Sequence, residues 1–282
     1  MSDAFAPPRV DRRTWVKGSL SVGFCAAISP VFGQTIATPS EGLIAGEVKY
    51  SAGDVDIPAY RAMPDGGGKF PTVLVIHEVF GVHEHIKDVC RRWAKRGYYA
   101  IAPELFARQG DAAAEKDMQK LMADIVAKKP DAEVLSDLDA TVAFAKASGS
   151  ADLDRAAVTG FCWGGRQTWL YAAHNPSLKA GVAWYGPLAG KTSELRPKNP
   201  PDLVAELKVP VLGLYGGMDK GITHDQIAAM QKKLADAGGS SKIIVYDDAG
   251  HAFYADYRPS YVKADAEASW KEATAWLKAH GI

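Results

Sequence analysis

The run Val158-Thr159-Gly160-Phe161-Cys162-Trp163-Gly164-Gly165 sets a thiol between small residues in the pattern Gly-x-Cys-x-Gly, at the end of an apolar stretch with strand character. A nucleophile framed in this way sits on a sharp strand-to-helix turn, where side chains at Gly160 and Gly164 would collide with neighbouring elements. Such a turn aims the sulfur outward and places Cys162 at a helix N-terminus. Unpaired N–H groups there favour a thiolate, and the N–H of Trp163 is available to an oxyanion. The competing account is a glycine-rich turn that happens to hold a buried cysteine, so the partners of the thiol decide the matter.

A thiol nucleophile needs a base, and the base needs an acid to orient it. Of the seven histidines, His251 alone follows a glycine just past a late strand, in Tyr246-Asp247-Asp248-Ala249-Gly250-His251. A loop at that point can bring an imidazole back over a sheet. The acid is expected after an intermediate strand, and Val211-Leu212-Gly213-Leu214-Tyr215-Gly216-Gly217-Met218-Asp219 supplies a strand, a turn and then Asp219. Asp225, Asp247 and Asp248 compete for the role. The order nucleophile, acid, histidine along the chain is itself a constraint that Cys162, Asp219 and His251 satisfy.

These residues require a sheet whose strand ends converge. From about residue 43 short β-rich runs alternate with longer amphipathic stretches, the pattern of a mostly parallel twisted sheet with helices on both faces. Strands are expected at Val73 to His77, Tyr98 to Pro103, Ala157 to Phe161, Gly181 to Trp184, Val211 to Tyr215 and Ile243 to Tyr246, with an edge hairpin within Val48 to Tyr60. A helix from His85 to Arg96 would bury Ile86, Val89, Cys90, Trp93 and Ala94 at helical spacing, with Gly97 closing it, which makes Cys90 a core thiol. A final helix over Ala264 to Ala279 puts Trp270, Ala273 and Leu277 on one face. The Pro- and Lys-rich stretch from Ala189 to Pro201 reads as a surface loop near the site mouth.

With Gly160 to Gly165, Asp219 and His251 in place, the chain resembles the dienelactone hydrolases, the carboxymethylenebutenolidases of the α/β-hydrolase superfamily. Two further segments carry the likeness: Val75-Ile76-His77-Glu78-Val79-Phe80-Gly81, and the run from Gly97 to Arg108. The resemblance covers roughly residues 45 to 280. It implies a Cys-His-Asp triad, with Glu78 facing the nucleophile and helping to form the thiolate when substrate arrives, and with the N–H of Val79 completing the oxyanion hole. It also implies that Arg108 binds a substrate carboxylate as a forked donor. A second family arginine, four residues beyond the histidine, is Ala255 here, so Arg258, with Tyr254 nearby, is the candidate replacement. His83 and His85 lack a third ligand and predict no metal site.

The reaction implied is opening of a lactone or ester through a thioacyl-enzyme, with no cofactor, on a small molecule that carries a carboxylate. A general carboxylesterase or thioesterase of the same fold is one alternative. A non-catalytic periplasmic carboxylate-binding protein is another.

The bulk properties agree with an enzyme of small molecules. Lys plus Arg and Asp plus Glu are 33 each, so no overall field draws in nucleic acid or an anionic membrane surface. Three cysteines, Cys25, Cys90 and Cys162, make no disulfide framework. At the N-terminus Arg12 and Arg13 precede an apolar run from Gly18 to Phe32, broken by Pro30, which is too short to span a bilayer. This predicts a twin-arginine export signal, delivery by the twin-arginine machinery to the periplasm, and loss of Cys25 with the leader. The expected organisation is a leader over residues 1–37 and one catalytic domain over 38–282.

Overall fold

The structure, a computed structural model, describes residues 36–282. The proposed leader, with Arg12, Arg13 and Cys25, lies outside the described residues. Eight strands form one sheet in the order β1-β2-β4-β3-β5-β6-β7-β8. The edge hairpin pairs β1 (Leu43–Ser51) with β2 (Asp56–Pro64), and β2 meets β4 (Tyr99–Pro103) antiparallel. From there on the sheet is parallel, through β3 (Phe70–Ile76), β5 (Ala151–Phe161), β6 (Ala180–Trp184), β7 (Val211–Gly216) and β8 (Lys242–Tyr246).

The inner strands are apolar without alternation because both faces of a parallel sheet are covered. Every residue of β4, β6 and β7 is buried. The covering helices are α1 (Glu84–Ala94), α2 (Asp131–Ala147), α3 (Trp163–His174), α4 (His224–Asp236) and α5 (Lys263–Ala279). Helix α1 buries Ile86, Val89, Cys90, Trp93 and Ala94, the face its spacing predicts, and Gly97 follows it at φ +91°. Burial pushes the Cys90 thiol far above its ordinary range, as suits a core residue. Trp93 packs on Trp270 of α5 at 4.3 Å between ring centroids.

Helix α2 is different in kind. It buries Asp131 and Asp137 beside Val134 and Leu138, so its inward face is mixed and its period is hard to read from sequence. The acids have partners. Lys129, itself fully buried at its side chain, reaches Asp137 at 2.6 Å and Glu133 at 2.5 Å.

Parallel strands all end at the same edge, and that edge collects the loops after β3, β5, β7 and β8. Glu78, Cys162, Asp219 and His251 stand on those four loops. Among the described residues no helix is long and apolar enough to cross a membrane.

Candidate active site

Cys162 occupies a strained elbow between β5 and α3. Its φ is 54° and its ψ −118°, a conformation that a non-glycine residue adopts only when the surroundings enforce it. The enforcement is visible in the glycines. A Cβ on Gly160 would lie 2.2 Å from the carbonyl oxygen of Gly164, and one on Gly164 would lie 2.5 Å from the carbonyls of Ile76 and His77. Helix α3 therefore presses directly onto the ends of β3 and β5. The Cys162 N–H donates to Trp184 O at 3.0 Å, while the Cys162 carbonyl accepts from Gly165 and Arg166. Trp163 is the first helical residue, and its N–H has no partner within the helix.

His251 bridges the other two groups. Its Nδ1 lies 2.7 Å from Asp219 Oδ2 and its Nε2 lies 3.2 Å from Cys162 Sγ. Asp219 is fixed in turn, because its Oδ1 accepts from the N–H groups of Gly221 at 2.8 Å and Ile222 at 3.2 Å. Gly216 and Gly217 let the β7 turn close on the β8 loop: a Cβ on Gly216 would meet Ala249 O at 2.4 Å. Burial pulls the imidazole towards neutrality. The neighbouring Cys162 sulfur and the Asp219 hydrogen bond outweigh it and raise His251 to about 10.

Glu78 is fully buried two residues after β3. Its Oε2 accepts from the Tyr257 hydroxyl at 2.7 Å and lies 3.1 Å from His83 Nε2, and its Oε1 is 3.6 Å from Arg258 Nη2. Burial alone would push this carboxyl up. The charge of Arg258 and the His83 hydrogen bond overcome that and hold it well below the ordinary carboxylate range. Among the described residues none of its hydrogen bonds goes to Cys162. Arg258 is buried as well; its Nε donates to the Tyr257 hydroxyl at 3.0 Å, and its guanidinium lies over the Phe80 ring. Arg258 therefore reaches the Glu78 cluster from a position seven residues past His251.

Two of the expected contacts fall elsewhere. Arg108 donates to Asp54 and Asp137 through Nε, Nη1 and Nη2, and Nη2 also reaches Ala52 O at 3.0 Å. Its guanidinium ties the edge hairpin to α2 and does not line the cavity beside Trp163. Tyr254 is a core residue: its ring stacks on Phe161 and Trp270, and its hydroxyl accepts from Arg92. His83 and His85 meet carboxylates, Glu78 in one case and Asp256 at 3.3 Å in the other.

Other residues at the site were given no role by the sequence. His77 Nε2 accepts from the Leu105 N–H at 3.0 Å, which leaves Nδ1 to donate to Glu78 O at 2.6 Å. Burial lowers its pKa and keeps it neutral. Its ring stacks on Trp163 at 5.4 Å, holding the residue that follows the thiol. Tyr185 sits at φ 37° with its ring edge-on to His251 at 5.3 Å. A cavity of about 260 Å³ opens beside Val79 and Trp163, between residues 122–126 and the loop from Pro187 to Asn199.

A mostly parallel eight-stranded sheet with a strained cysteine elbow, a histidine behind it and a carboxylate behind the histidine defines an α/β-hydrolase, and the chain is a hydrolase of that fold. Residues 57–281 match the model of the dienelactone hydrolase family, and the chain belongs to that family. It is 58% identical over 278 residues to a Methylorubrum extorquens protein named "Putative carboxymethylenebutenolidase", covering 98% of this chain and 96% of that one. An Escherichia coli protein of the same name is 49% identical over 260 residues, which is 92% of this chain and 96% of its own. A Klebsiella pneumoniae crystal structure described as a "Putative Dienelactone Hydrolase" superimposes with a TM-score of 0.82 at 49% identity, over 84% of this chain and 98% of that one.

Proposed function

We propose that this hydrolase opens a lactone or ester of a small carboxylic acid through a thioacyl-enzyme on Cys162. The single observation that supports it best is His251, held between Asp219 and the sulfur at 2.7 and 3.2 Å. The thiolate adds to the carbonyl carbon, and the oxyanion is met by the N–H groups of Trp163 and Val79. Collapse breaks the carbon–oxygen bond, and the departing alkoxide or enolate takes the proton of the His251 imidazolium. Neutral His251 then removes a proton from water, which attacks the thioester and releases the acid with the thiolate restored. Asp219 holds the Nδ1 tautomer throughout. Glu78, buried and ionised one residue before Val79, assists thiolate formation when an incoming substrate disturbs its cluster.

The test is turnover of a dienelactone and of an aryl acetate by the wild type and by Cys162→Ala. A fall of at least about 1,000-fold in kcat/KM for both is expected, in line with removal of a triad nucleophile. Near-wild-type turnover by the variant would sink the thiol mechanism. Export is proposed alongside, on the strength of Arg12 and Arg13 ahead of a short apolar run.

A further inference from the structure

The two N–H groups that meet the oxyanion in the mechanism above are held in different ways. Trp163 opens α3, and the helix fixes the direction of its N–H. Val79 has no such support. Strand β3 ends at Ile76, whose register partner is Gly160, so the Glu78–Val79 peptide lies past the sheet ladder and leads into a turn. Among the described residues the Val79 N–H makes no backbone hydrogen bond. A peptide unit outside a ladder can turn as a plane about the soft dihedrals on either side of it. Oxyanion donors are effective only when they already point to where the charge develops, so this plane needs an anchor.

His77 supplies one. Its Nδ1 lies 2.6 Å from Glu78 O, the carbonyl of that same peptide unit. The unit is planar and trans, so its C=O and N–H point in opposite directions and fixing one fixes the other. The far side of the ring settles the hydrogen-bond roles: the Leu105 N–H donates to Nε2 at 3.0 Å, so the proton is on Nδ1. Leu105 follows β4, the strand beside β3, and the imidazole therefore spans two neighbouring strand ends. Glu104 Oε1 stands 3.5 Å from Nε2, but the Glu104 oxygens already accept from the Val82 and Phe106 N–H groups. A second proton on Nε2 would face the Leu105 donor, and burial outweighs the Glu104 charge in pulling the His77 pKa down. The side chain has no solvent exposure, so water does not compete for either nitrogen. Phe106 lies 5.0 Å away and Trp163 5.4 Å away between ring centroids, the Trp163 ring within 16° of parallel. One ring thus touches the residues of both oxyanion donors, and Val79 and Trp163 line the same cavity.

We propose that His77 is a positioning residue for this hydrolase: as the neutral Nδ1–H tautomer it holds the Glu78–Val79 peptide so that the Val79 N–H faces the carbonyl attacked by Cys162. The assignment rests on the thiol mechanism above, with Val79 as an oxyanion donor. An oxyanion forms when the thiolate adds to the ester and again when water adds to the thioester, so His77 serves both steps.

The experiment compares two reactions of the same thiol. Hydrolysis of p-nitrophenyl acetate adds the sulfur to a carbonyl and calls on the oxyanion donors, whereas alkylation by iodoacetamide displaces iodide from a saturated carbon and forms no oxyanion. His77→Phe keeps a ring against Trp163 and removes the Nδ1 donor. It is expected to lower kcat/KM for the ester by about 10- to 100-fold, somewhat less than outright loss of an oxyanion donor, while the rate of Cys162 alkylation stays within about 2-fold of the wild type. Unchanged hydrolysis overturns the proposal. So does a fall in alkylation that matches the fall in hydrolysis, because it would mark a purely structural role. If His77→Phe does not fold, nitrogen NMR of the wild type carries the test: the His77 ring should be the neutral Nδ1–H tautomer at neutral pH, and an Nε2–H tautomer overturns the assignment, since Nδ1 could not then donate to Glu78 O. Failure of the thiol mechanism reads out separately, as ester hydrolysis that survives full alkylation of the wild type at Cys162. An alkylated wild type that is inactive, beside a His77→Phe variant as fast as the unmodified enzyme, fails the His77 assignment alone.

Discussion

Glu78 concentrates the electrostatics of the site in one side chain. It is fully buried, it has His83, Tyr257 and Arg258 around it, and its folded pKa lies below the unfolded value near 4.5. A carboxylate lowered on folding binds fewer protons in the native state, so its contribution to stability is complete above the unfolded pKa and is lost as pH falls towards the folded one. Melting temperature measured from pH 7 down to pH 3 should therefore fall more steeply for the wild type than for Glu78→Gln below about pH 4.5. Parallel curves for the two proteins would show that Glu78 is not ionised in the folded state. At neutral pH the same substitution leaves Arg258 without its carboxylate, so the variant is expected to be less stable by about 3 kcal/mol or more, as for breaking a buried ion pair.

The elements decide where strain is tolerated. The elbow between β5 and α3 works because Gly160 and Gly164 let two backbones approach to distances that no Cβ permits. Gly160→Ala should cost at least about 3 kcal/mol, since the two nearest atoms it meets belong to the Gly164 backbone and cannot swing away. Gly250→Ala is the control: it has no atom within 4 Å of an added Cβ, and its stability should change by less than about 1 kcal/mol. Thermal denaturation of the two variants checks both, and equal melting temperatures would mean that the elbow is packed less tightly than described. The loop from Pro187 to Asn199 is the other decisive element, because it walls the cavity beside Trp163 while Asp131 of α2 holds Arg166 in an ion pair.

For the whole molecule, balanced charge of 33 against 33 leaves no long-range field, so selection among substrates falls to local groups at the sheet edge. The folded body already includes Thr38, whose N–H and hydroxyl both meet Asp88 of α1 and whose carbonyl accepts from Arg91. Residues that precede it are proposed as a removable leader. Fractionation of cells expressing the full chain should then find the mature enzyme in the periplasm, and replacing Arg12 and Arg13 by Lys should retain it in the cytoplasm. An unprocessed wild-type chain in the cytoplasm would exclude the twin-arginine route.

The sequence by itself determined the parts whose signals are local. A thiol framed by glycines at a strand end, an acid after one later strand and a histidine after the next are short-range patterns, and a parallel sheet necessarily delivers such loops to one edge. Helix α1 was legible for the same reason, since its apolar face repeats every turn; α2 was not, because its buried acids answer to Lys129, Arg108 and Arg166. Tertiary structure alone decided which acid each cation meets. Arg108 is captured by Asp54 and Asp137, 54 and 29 residues away, and Tyr254 is taken into an aromatic stack, whereas Arg258 is brought onto Glu78. A side chain's charge is written in its residue type, but the partner that cancels it comes from a distant part of the chain and is assigned only when the strands come together.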